Sequence, residues 1–370
     1  MTARTGVQSD GVQPDGVEVV ATAREAQALV RPPLLVVETV TAFLDEHGLG
    51  TGPLAWERIG DGQSNITYRI HRGGQAFVLR RGPRPPLPRS THDMIREARI
   101  QGLLHAEGIP VPEILAVCTD ESLLGVPFYV MSYLDGVVIT DTEPAALAAP
   151  EQRAATSRAL VDTLVQLHAV DVSSGALASL GRPDGYLERQ VRRFAGLWDT
   201  NTTRSLPQVE QLAGWLEENL PTTQAVSMVH GDYRLGNLMF SGQSPASVIG
   251  ILDWEMATLG DPLADLGYLT ATYAEEGSTS TVMDLTSATR QPGYWNRSTI
   301  VDRYAEQTGL DVTALPWYQV LALWKSAIFC EAIYTRWLRG ERPEDTAFAP
   351  ALETGVPLLL SQAALQMSRL

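Results

Sequence analysis

The chain has 370 residues, 44% of them hydrophobic, which suffices for a large single domain or two lobes. Lys and Arg number 28 against 43 Asp and Glu, a formal charge of −15. No basic surplus exists to neutralise phosphates, so nucleic acid is disfavoured as a bulk partner.

Residues 1–31 are polar, acidic and glycine-containing, with no basic start leading into an apolar stretch. They are expected to be a flexible tail and not a signal peptide. Leu34, Leu35, Val37, Val40, Phe43 and Leu44 then recur at helical spacing and predict an amphipathic helix over 34–47. Strands are predicted over 56–59, 66–70 and 77–79, where Ile66, Tyr68 and Ile70 alternate with polar residues and Gly73-Gly74 signals a hairpin. The prolines of 82–88 remove donors and fix φ, so that stretch is irregular. A helix over 91–107 and strands over 113–118 and 127–131 complete the block. Residues 132–136, Ser-Tyr-Leu-Asp-Gly, read as a hinge.

Beyond it the pattern turns helical, over 152–170, 183–198, 207–220, 262–274, 300–308 and 317–338. Short strands are predicted at 227–229, 238–240 and 248–252. The Ser- and Thr-rich segment 277–290 reads as a mobile surface excursion. The terminal stretch 352–365 is apolar enough to pack back on the helices or to mediate dimerisation. Cys118 and Cys330 have no CxxC neighbour, which fits a reducing compartment and gives no structural zinc site. No apolar run approaches a membrane span. The protein is expected to be soluble and cytoplasmic.

The chemistry concentrates in His230-Gly231-Asp232-Tyr233-Arg234-Leu235-Gly236-Asn237 and in Ile251-Leu252-Asp253. A transferred phosphoryl group needs an oriented acceptor hydroxyl and neutralisation of growing charge. Asp232 is the candidate catalytic base, and Gly231 lets its loop bend tightly. Asn237 offers an amide oxygen to a hard cation, and Asp253 offers the main magnesium carboxylate. His230 reads as a brace for the loop. Any one of these alone would be a turn or cap residue; their ordered combination points to phosphoryl transfer.

Upstream, Gly60-Asp61-Gly62-Gln63-Ser64-Asn65 lies between two predicted strands, where backbone N–H groups can cradle phosphates with help from Ser64. Arg80 ends a strand and is the preferred phosphate contact, with Glu97 of the following helix as its partner. Arg81 faces the other way in a regular strand and is the second choice. Lys325 is the only lysine, so no P-loop exists and the usual nucleotide-binding lysine is absent. No GxSxG elbow, HExxH or GxGxxG after a first strand is present. His168 sits in an apolar helical pattern and reads as packing and loop support. Lys325 and Glu331 either reach the substrate pocket or form a salt-bridged face.

Together these motifs resemble the aminoglycoside phosphotransferase and choline-kinase-like family over about residues 34–345. The resemblance implies an α+β, two-lobed protein-kinase-like fold. Its parts would be a tail (1–31), an N-terminal nucleotide-binding lobe with a leading helix (32–131), a hinge (132–136) and a helical C-terminal lobe (137–370). It implies ATP and Mg2+ as cofactors, with Asp232, Asn237 and Asp253 catalytic and the last two on the metal. Gly60, Gly62, Ser64, Asn65, Arg80 and Glu97 would serve the nucleotide, and the backbone at Ser132 and Leu134 would meet adenine. Asp261 and Asp265 would organise loops.

Residues 77–83 and Trp324-Lys325, Tyr334 and Arg336 are similar to kinase-like domains fused to acyl-CoA dehydrogenases, which act on hydroxyacyl-CoAs. No dehydrogenase domain is expected within these 370 residues. An aminoglycoside acceptor would need an acidic pocket; coenzyme A would need arginines such as Arg189, Arg192 or Arg193. The acceptor is thus expected to be a small hydroxyl-bearing molecule, with neither nucleic acid nor membrane as partner and a monomer or homodimer as the working unit. The alternative is a pseudokinase for nucleotide sensing or protein interaction, which Arg80 in place of lysine motivates.

Overall fold

In the computed structural model, which describes residues 17–60, 65–85, 93–341 and 345–368, a five-stranded antiparallel sheet organises the chain up to Asp135. The residues fall into two units, one up to Asp135 and one from Gly136. The first contains β1 (Val19–Val20), α1 (Ala23–Gln27), β2 (Leu35–Val36), α2 (Val37–Glu46), β3 (Ala55–Ile59), β4 (Ile66–Arg72) and β5 (Gln75–Arg81). It continues with α3 (Met94–Ala106), β6 (Ile114–Cys118), α4 (Glu121–Leu124) and β7 (Phe128–Ser132).

The sheet order is β3-β4-β5-β7-β6, and each adjacent pair is antiparallel. Gly73 (φ 56°) and Gly74 (φ 79°) close the β4–β5 hairpin, where both positions need positive φ. Successive strand residues point to opposite faces. Ile66, Tyr68, Ile70, Phe77, Leu79, Phe128 and Val130 therefore share a core with Val40, Phe43 and Leu44 of α2. Val78, Tyr129 and Met131 face the other way and pack with Met94 and Ala98 of α3. Alternation fixes the two arginines by the same rule: Arg81 belongs to the α2 face and Arg80 to the α3 face.

Two expectations change here. Residues 17–31 are not all tail: β1 pairs in parallel with β2, so the leading helix begins at Val37 and not at Leu34. The β-branched Val19, Val20 and Val36 suit that pairing. Arg58 secures it through Glu18 at 2.5 Å, as does Arg84 through the carbonyl of Pro32 at 2.7 Å. Residues 1–16 lie outside the described part. The helix predicted from 91 begins at Met94, because Asp93 caps it by accepting from the Arg96 N–H.

The second unit contains β8 (Val137–Val138), α5 (Pro150–His168), α6 (Gly175–Ala178), α7 (Tyr186–Asn201), α8 (Gln208–Glu218), β9 (Ser227–Val229), β10 (Leu238–Phe240), β11 (Val248–Ile251) and β12 (Thr258–Gly260). Four helices follow: α9 (Leu263–Thr272), α10 (Arg297–Thr308), α11 (Leu315–Leu338) and α12 (Phe348–Met367). The strands form two small sheets, β11-β10-β8 and β12-β9. The apolar α11 is the central helix, packed against α7, α8, α9 and α12. Trp317 and Trp324 bury their rings there and donate to the carbonyls of Leu216 and Val209.

The terminal stretch thus packs back on α11. Segment 277–290 is also held. Thr289 donates to the carbonyl of Ala274 at 2.6 Å, Ala288 N–H donates to that of Thr140 at 2.9 Å, and both residues are buried. Its hydroxyls serve both its own turns and neighbours outside it: Ser280 and Thr281 bond Asp284, and Ser287 bonds Asp141. Among the described residues, no helix is long and apolar enough to cross a membrane.

Candidate active site

The loop from His230 to Asn237 connects β9 to β10 and is fixed at nearly every residue. The backbone N–H groups of His230 and Gly231 donate to the two oxygens of Asp265, at 2.7 and 2.8 Å. His230 Nδ1 accepts from the Asp232 N–H at 3.2 Å, so its Nε2–H donates to the Leu252 carbonyl at 2.9 Å. A histidine with both nitrogens so occupied braces the loop and has no lone pair left for a substrate proton. Gly231 has φ 87°, and a Cβ there would stand 2.9 Å from Met256 Cβ and 3.0 Å from Met256 O. Glycine is required on both counts.

Three residues with oxygen-bearing side chains are brought to this loop and the adjoining hairpin end. Asn237 Nδ2 donates to the carbonyl of Asp232 and to its Oδ2, each at 2.8 Å. The donor end of the amide is therefore turned to Asp232, and Oδ1 is the end left for a cation. Asp232 Oδ1 is buried with no hydrogen bond of ordinary geometry, and Arg234 Nε stands 3.5 Å away. Antiparallel pairing of Leu238 with Ile251, together with the Leu252 N–H donating to the Asn237 carbonyl at 2.8 Å, brings Asp253 to the same end of the hairpin. Asp253 has φ 68° and ψ 67° and is the only non-glycine with positive φ among the described residues. Such a conformation costs about 1–3 kcal/mol and persists where surroundings impose it, often at functional sites.

Among the described residues no cluster of three or more His, Cys, Asp or Glu can hold a metal ion. What this hairpin offers is two carboxylates and an amide oxygen, one carboxylate oxygen being buried and poorly partnered. That donor set fits a hard, oxygen-seeking cation such as Mg2+.

Asp265, on the first turns of α9, holds the loop from behind. Burial alone would raise its carboxyl, but hydrogen bonding and charge from His168, the nearby His230 and the Gly231 N–H outweigh it and hold the carboxyl below its ordinary value. His168 Nε2 lies 3.2 Å from Asp265 Oδ2, and its Nδ1 lies 2.7 Å from the Tyr304 hydroxyl. Asp261 accepts from the Leu263 N–H at 3.0 Å and from the Tyr318 hydroxyl at 2.8 Å.

Asp265→Ala is expected to leave buried N–H groups unanswered, costing about 2–5 kcal/mol, read by urea denaturation. The pH dependence has a definite sign. A carboxyl whose folded value lies below its unfolded value of about 3.9 stabilises fully above that value and loses the contribution as pH falls through the folded one. Asp265→Asn should therefore flatten the loss of stability below about pH 4; unchanged acid limbs would argue against this role.

In the first unit, Arg80 Nε pairs with Glu97 Oε1 at 2.9 Å. Glu97 is buried, and its Oε1 also accepts from the Tyr129 hydroxyl at 3.0 Å, which in turn accepts from Gln101 Nε2. Burial, followed by the Glu97 charge, pushes the Tyr129 phenol well above its ordinary value. Arg81 is fully buried and donates to the carbonyls of Leu34, Gly82 and Leu124. Burial lowers its guanidinium to about 10. Arg81 is thus a clamp of the fold, and Arg80 is the arginine with a carboxylate partner.

Ser132 ends β7; its Oγ accepts from the Glu113 N–H at 2.9 Å, and Leu134 follows two residues later, half-buried. Gly60 has φ 75° and Asn65 is buried. Gly62 and Ser64 lie outside the described residues.

Glu331 takes the salt-bridged alternative: its carboxylate pairs with Arg204 and accepts from Thr202 at 3.0 Å. Arg189 is likewise committed to the carbonyls of Arg182 and Asp184. A recess of about 530 Å3 lined by His168, Val170, Asp171, Pro183, Val226 and Leu259 contains none of the phosphoryl-transfer candidates. Two residues near Asp232 escaped the sequence reading, Arg234 and Tyr268. Burial, then the Asp232 carboxylate, holds the Tyr268 phenol well above its ordinary value. The available signal was spacing: Tyr268 follows Asp265 by one helical turn and shares its side of α9.

The pattern of the phosphotransferase enzyme family matches residues 55–297. The chain belongs to that family. Family membership implies phosphoryl transfer with ATP as donor. A Ralstonia eutropha protein provisionally called an aminoglycoside phosphotransferase shares the fold with TM-score 0.73 and 28% identity, over 90% of this chain and 98% of that one. Choline kinase from Cryptosporidium parvum, 12% identical, has a TM-score of 0.62 over 90% of this chain and 96% of its own, a likeness of fold alone.

Acyl-CoA dehydrogenase family member 11 of Rattus norvegicus is 32% identical over 341 residues, 90% of this chain but 43% of that protein. Family member 10 of Mus musculus is 40% identical over 223 residues, 60% of this chain and 21% of that protein. The phosphotransferase spans less than half the length of these relatives. The α+β, two-lobed kinase-like fold expected from the sequence is the fold found.

Proposed function

We propose that the phosphotransferase uses ATP and Mg2+ to phosphorylate a hydroxyl of a hydroxyacyl-CoA-like acceptor. The observation that carries the chemistry is the meeting of Asp232, Asn237 and Asp253 at one loop and hairpin end. Asp232 orients the acceptor hydroxyl and takes its proton as the oxygen bonds to the terminal phosphorus and ADP departs. Asn237 keeps the Asp232 carboxylate aimed through its Nδ2. Asn237 Oδ1 and the Asp253 carboxylate would hold Mg2+, whose charge would offset that of the phosphate oxygens.

Arg80, aligned by Glu97, contacts phosphate, and the loop of Gly60, Gly62, Ser64 and Asn65 supplies backbone donors to the nucleotide. The backbone of Ser132 and Leu134 meets adenine. Resemblance to the acyl-CoA dehydrogenase relatives supports the acyl-CoA class of acceptor; an aminoglycoside-like acceptor is the second reading, supported by the likeness to the Ralstonia protein. The proposed setting is cytoplasmic, as a monomer or homodimer.

Arginine carries a permanent charge and a planar fork where related enzymes carry lysine. Arg80→Ala is expected to raise KM for ATP by about 10- to 100-fold, the equivalent of one charge-assisted contact, with a smaller change in kcat. Arg80→Lys should recover most of it, and an unchanged KM in the alanine variant would remove Arg80 from the nucleotide site. Steady-state kinetics with ATP and a hydroxyacyl-CoA test the whole reading; a phosphorylated aminoglycoside with no phosphorylated thioester would overturn its acceptor.

A further inference from the structure

Lys325, the only lysine in the sequence, has no role in the phosphoryl-transfer chemistry above. It projects from the middle of the largely buried α11, and its Nζ donates to Gln190 Oε1 at 3.0 Å. The same ammonium sits 4.6 Å from the centroid of the Phe194 ring. Gln190, Arg193 and Phe194 are spaced i, i+3, i+4 on α7 and share one face of that helix. Neither Lys325 nor Arg193 has a carboxylate partner in hydrogen-bonding or ion-pair range among the described residues. A partly buried ammonium is normally paired, because desolvating an unpaired charge is costly.

The local charge runs the same way. Burial, and then the positive Arg193, lower the Lys325 ammonium to about 8, and only Asp265 opposes the fall. Asp265 is already engaged with His230, Gly231 and His168. Phe329, one turn further along α11, is 49% exposed, and its ring lies 6.5 Å from that of Phe194. The half-buried Lys325 and the exposed Arg193 therefore stand, without a carboxylate partner, near the exposed ring of Phe329, behind which Phe194 is buried. This arrangement repels a polyamine and suits an anion carried next to an apolar stretch.

We propose that Lys325 and Arg193, with Gln190, form an anion-binding subsite that reads a phosphate or carboxylate of the acceptor, while Phe329, backed by the buried Phe194, supports its apolar portion. The proposal rests on reading the second unit as the acceptor-binding part, and it makes Lys325 a specificity-determining residue.

Because the chain has one lysine, protein made with lysine carrying 13C at Cε reports on Lys325 alone. With ADP saturating, the full chain is titrated with inorganic pyrophosphate, with coenzyme A and with pantetheine as the uncharged control. The Lys325 signal should move saturably with pyrophosphate and stay still with pantetheine. Arg193→Ala should weaken that binding by about tenfold, as expected for loss of a charge-assisted contact. A signal unmoved by both anions, or moved equally by pantetheine, would overturn the subsite. A response to pyrophosphate without one to coenzyme A would keep the subsite and reject the acyl-CoA acceptor. In turnover, Lys325→Met should raise KM for an anionic acceptor about tenfold, leave KM for ATP unchanged, and be largely rescued by Lys325→Arg; equal changes in both constants would mark a purely structural lysine.

Discussion

Asp232→Asn is expected to lower kcat by between about a hundredfold and ten-thousandfold, the range that a positioned general base contributes. Nucleotide affinity and thermal stability should change little. The amide oxygen of the new side chain can still accept from Asn237 Nδ2, which now donates to Asp232 Oδ2 at 2.8 Å. The loop is held by the backbone N–H groups of His230 and Gly231 donating to the Asp265 carboxylate and that of Asp232 donating to His230 Nδ1, none of which uses the Asp232 side chain, so they survive the exchange. What disappears is the carboxylate that orients the acceptor hydroxyl and takes its proton. The measurement is kcat beside ATP affinity by calorimetry. Turnover within a few-fold of the parent would remove Asp232 from the base role; loss of ATP binding in step with turnover would make its role structural.

Asp253→Asn should be comparably severe, for a different reason. Asparagine tolerates positive φ nearly as well as aspartate, so φ 68° is retained and the fold is spared. The carboxylate charge is lost, and with it the main proposed ligand for Mg2+. Turnover should fall by at least about a hundredfold, and the Mg2+ concentration for half-maximal activity should rise, since a carboxylate is a far stronger ligand for this ion than an amide. Asp253→Ala adds backbone strain of about 1–3 kcal/mol and should melt earlier than Asp253→Asn. An unchanged Mg2+ dependence in the asparagine variant would exclude Asp253 as a ligand, and equal melting temperatures for the two would show that the left-handed backbone is not strained.

Much of this was legible in the sequence because the governing signals are short-ranged. Period-two alternation in β4 and β5 separates Arg80 from Arg81 before any contact is known, and the structure then gives one a carboxylate partner and the other a cage of carbonyls. The spacing of His230, Gly231, Asp232 and Asn237 predicts a loop folded on itself, and the Asn237–Asp232 hydrogen bonds are that fold.

The misses involve partners distant in sequence. Glu331 was open between a substrate role and a salt bridge until Arg204, 127 positions earlier, claimed it. The pairing of β12 with β9 joins three-residue strands too short to show a period. The pairing of β1 with β2 uses valines that read equally well as part of a tail or a helix. Arg193 beside Lys325 is of the same kind, a meeting of two helices that neither sequence segment announces.

The most direct test of the central claim is product detection by mass after incubation with ATP and Mg2+. The acceptor panel comprises hydroxyacyl-CoAs, aminoglycosides, amino alcohols and macrolides. The predicted result is a hydroxyacyl-CoA that gains one phosphoryl group, requires Mg2+ and is not formed by Asp232→Asn. A folded sample that binds ATP and phosphorylates none of the panel, or forms product equally well after Asp232→Asn, would contradict it.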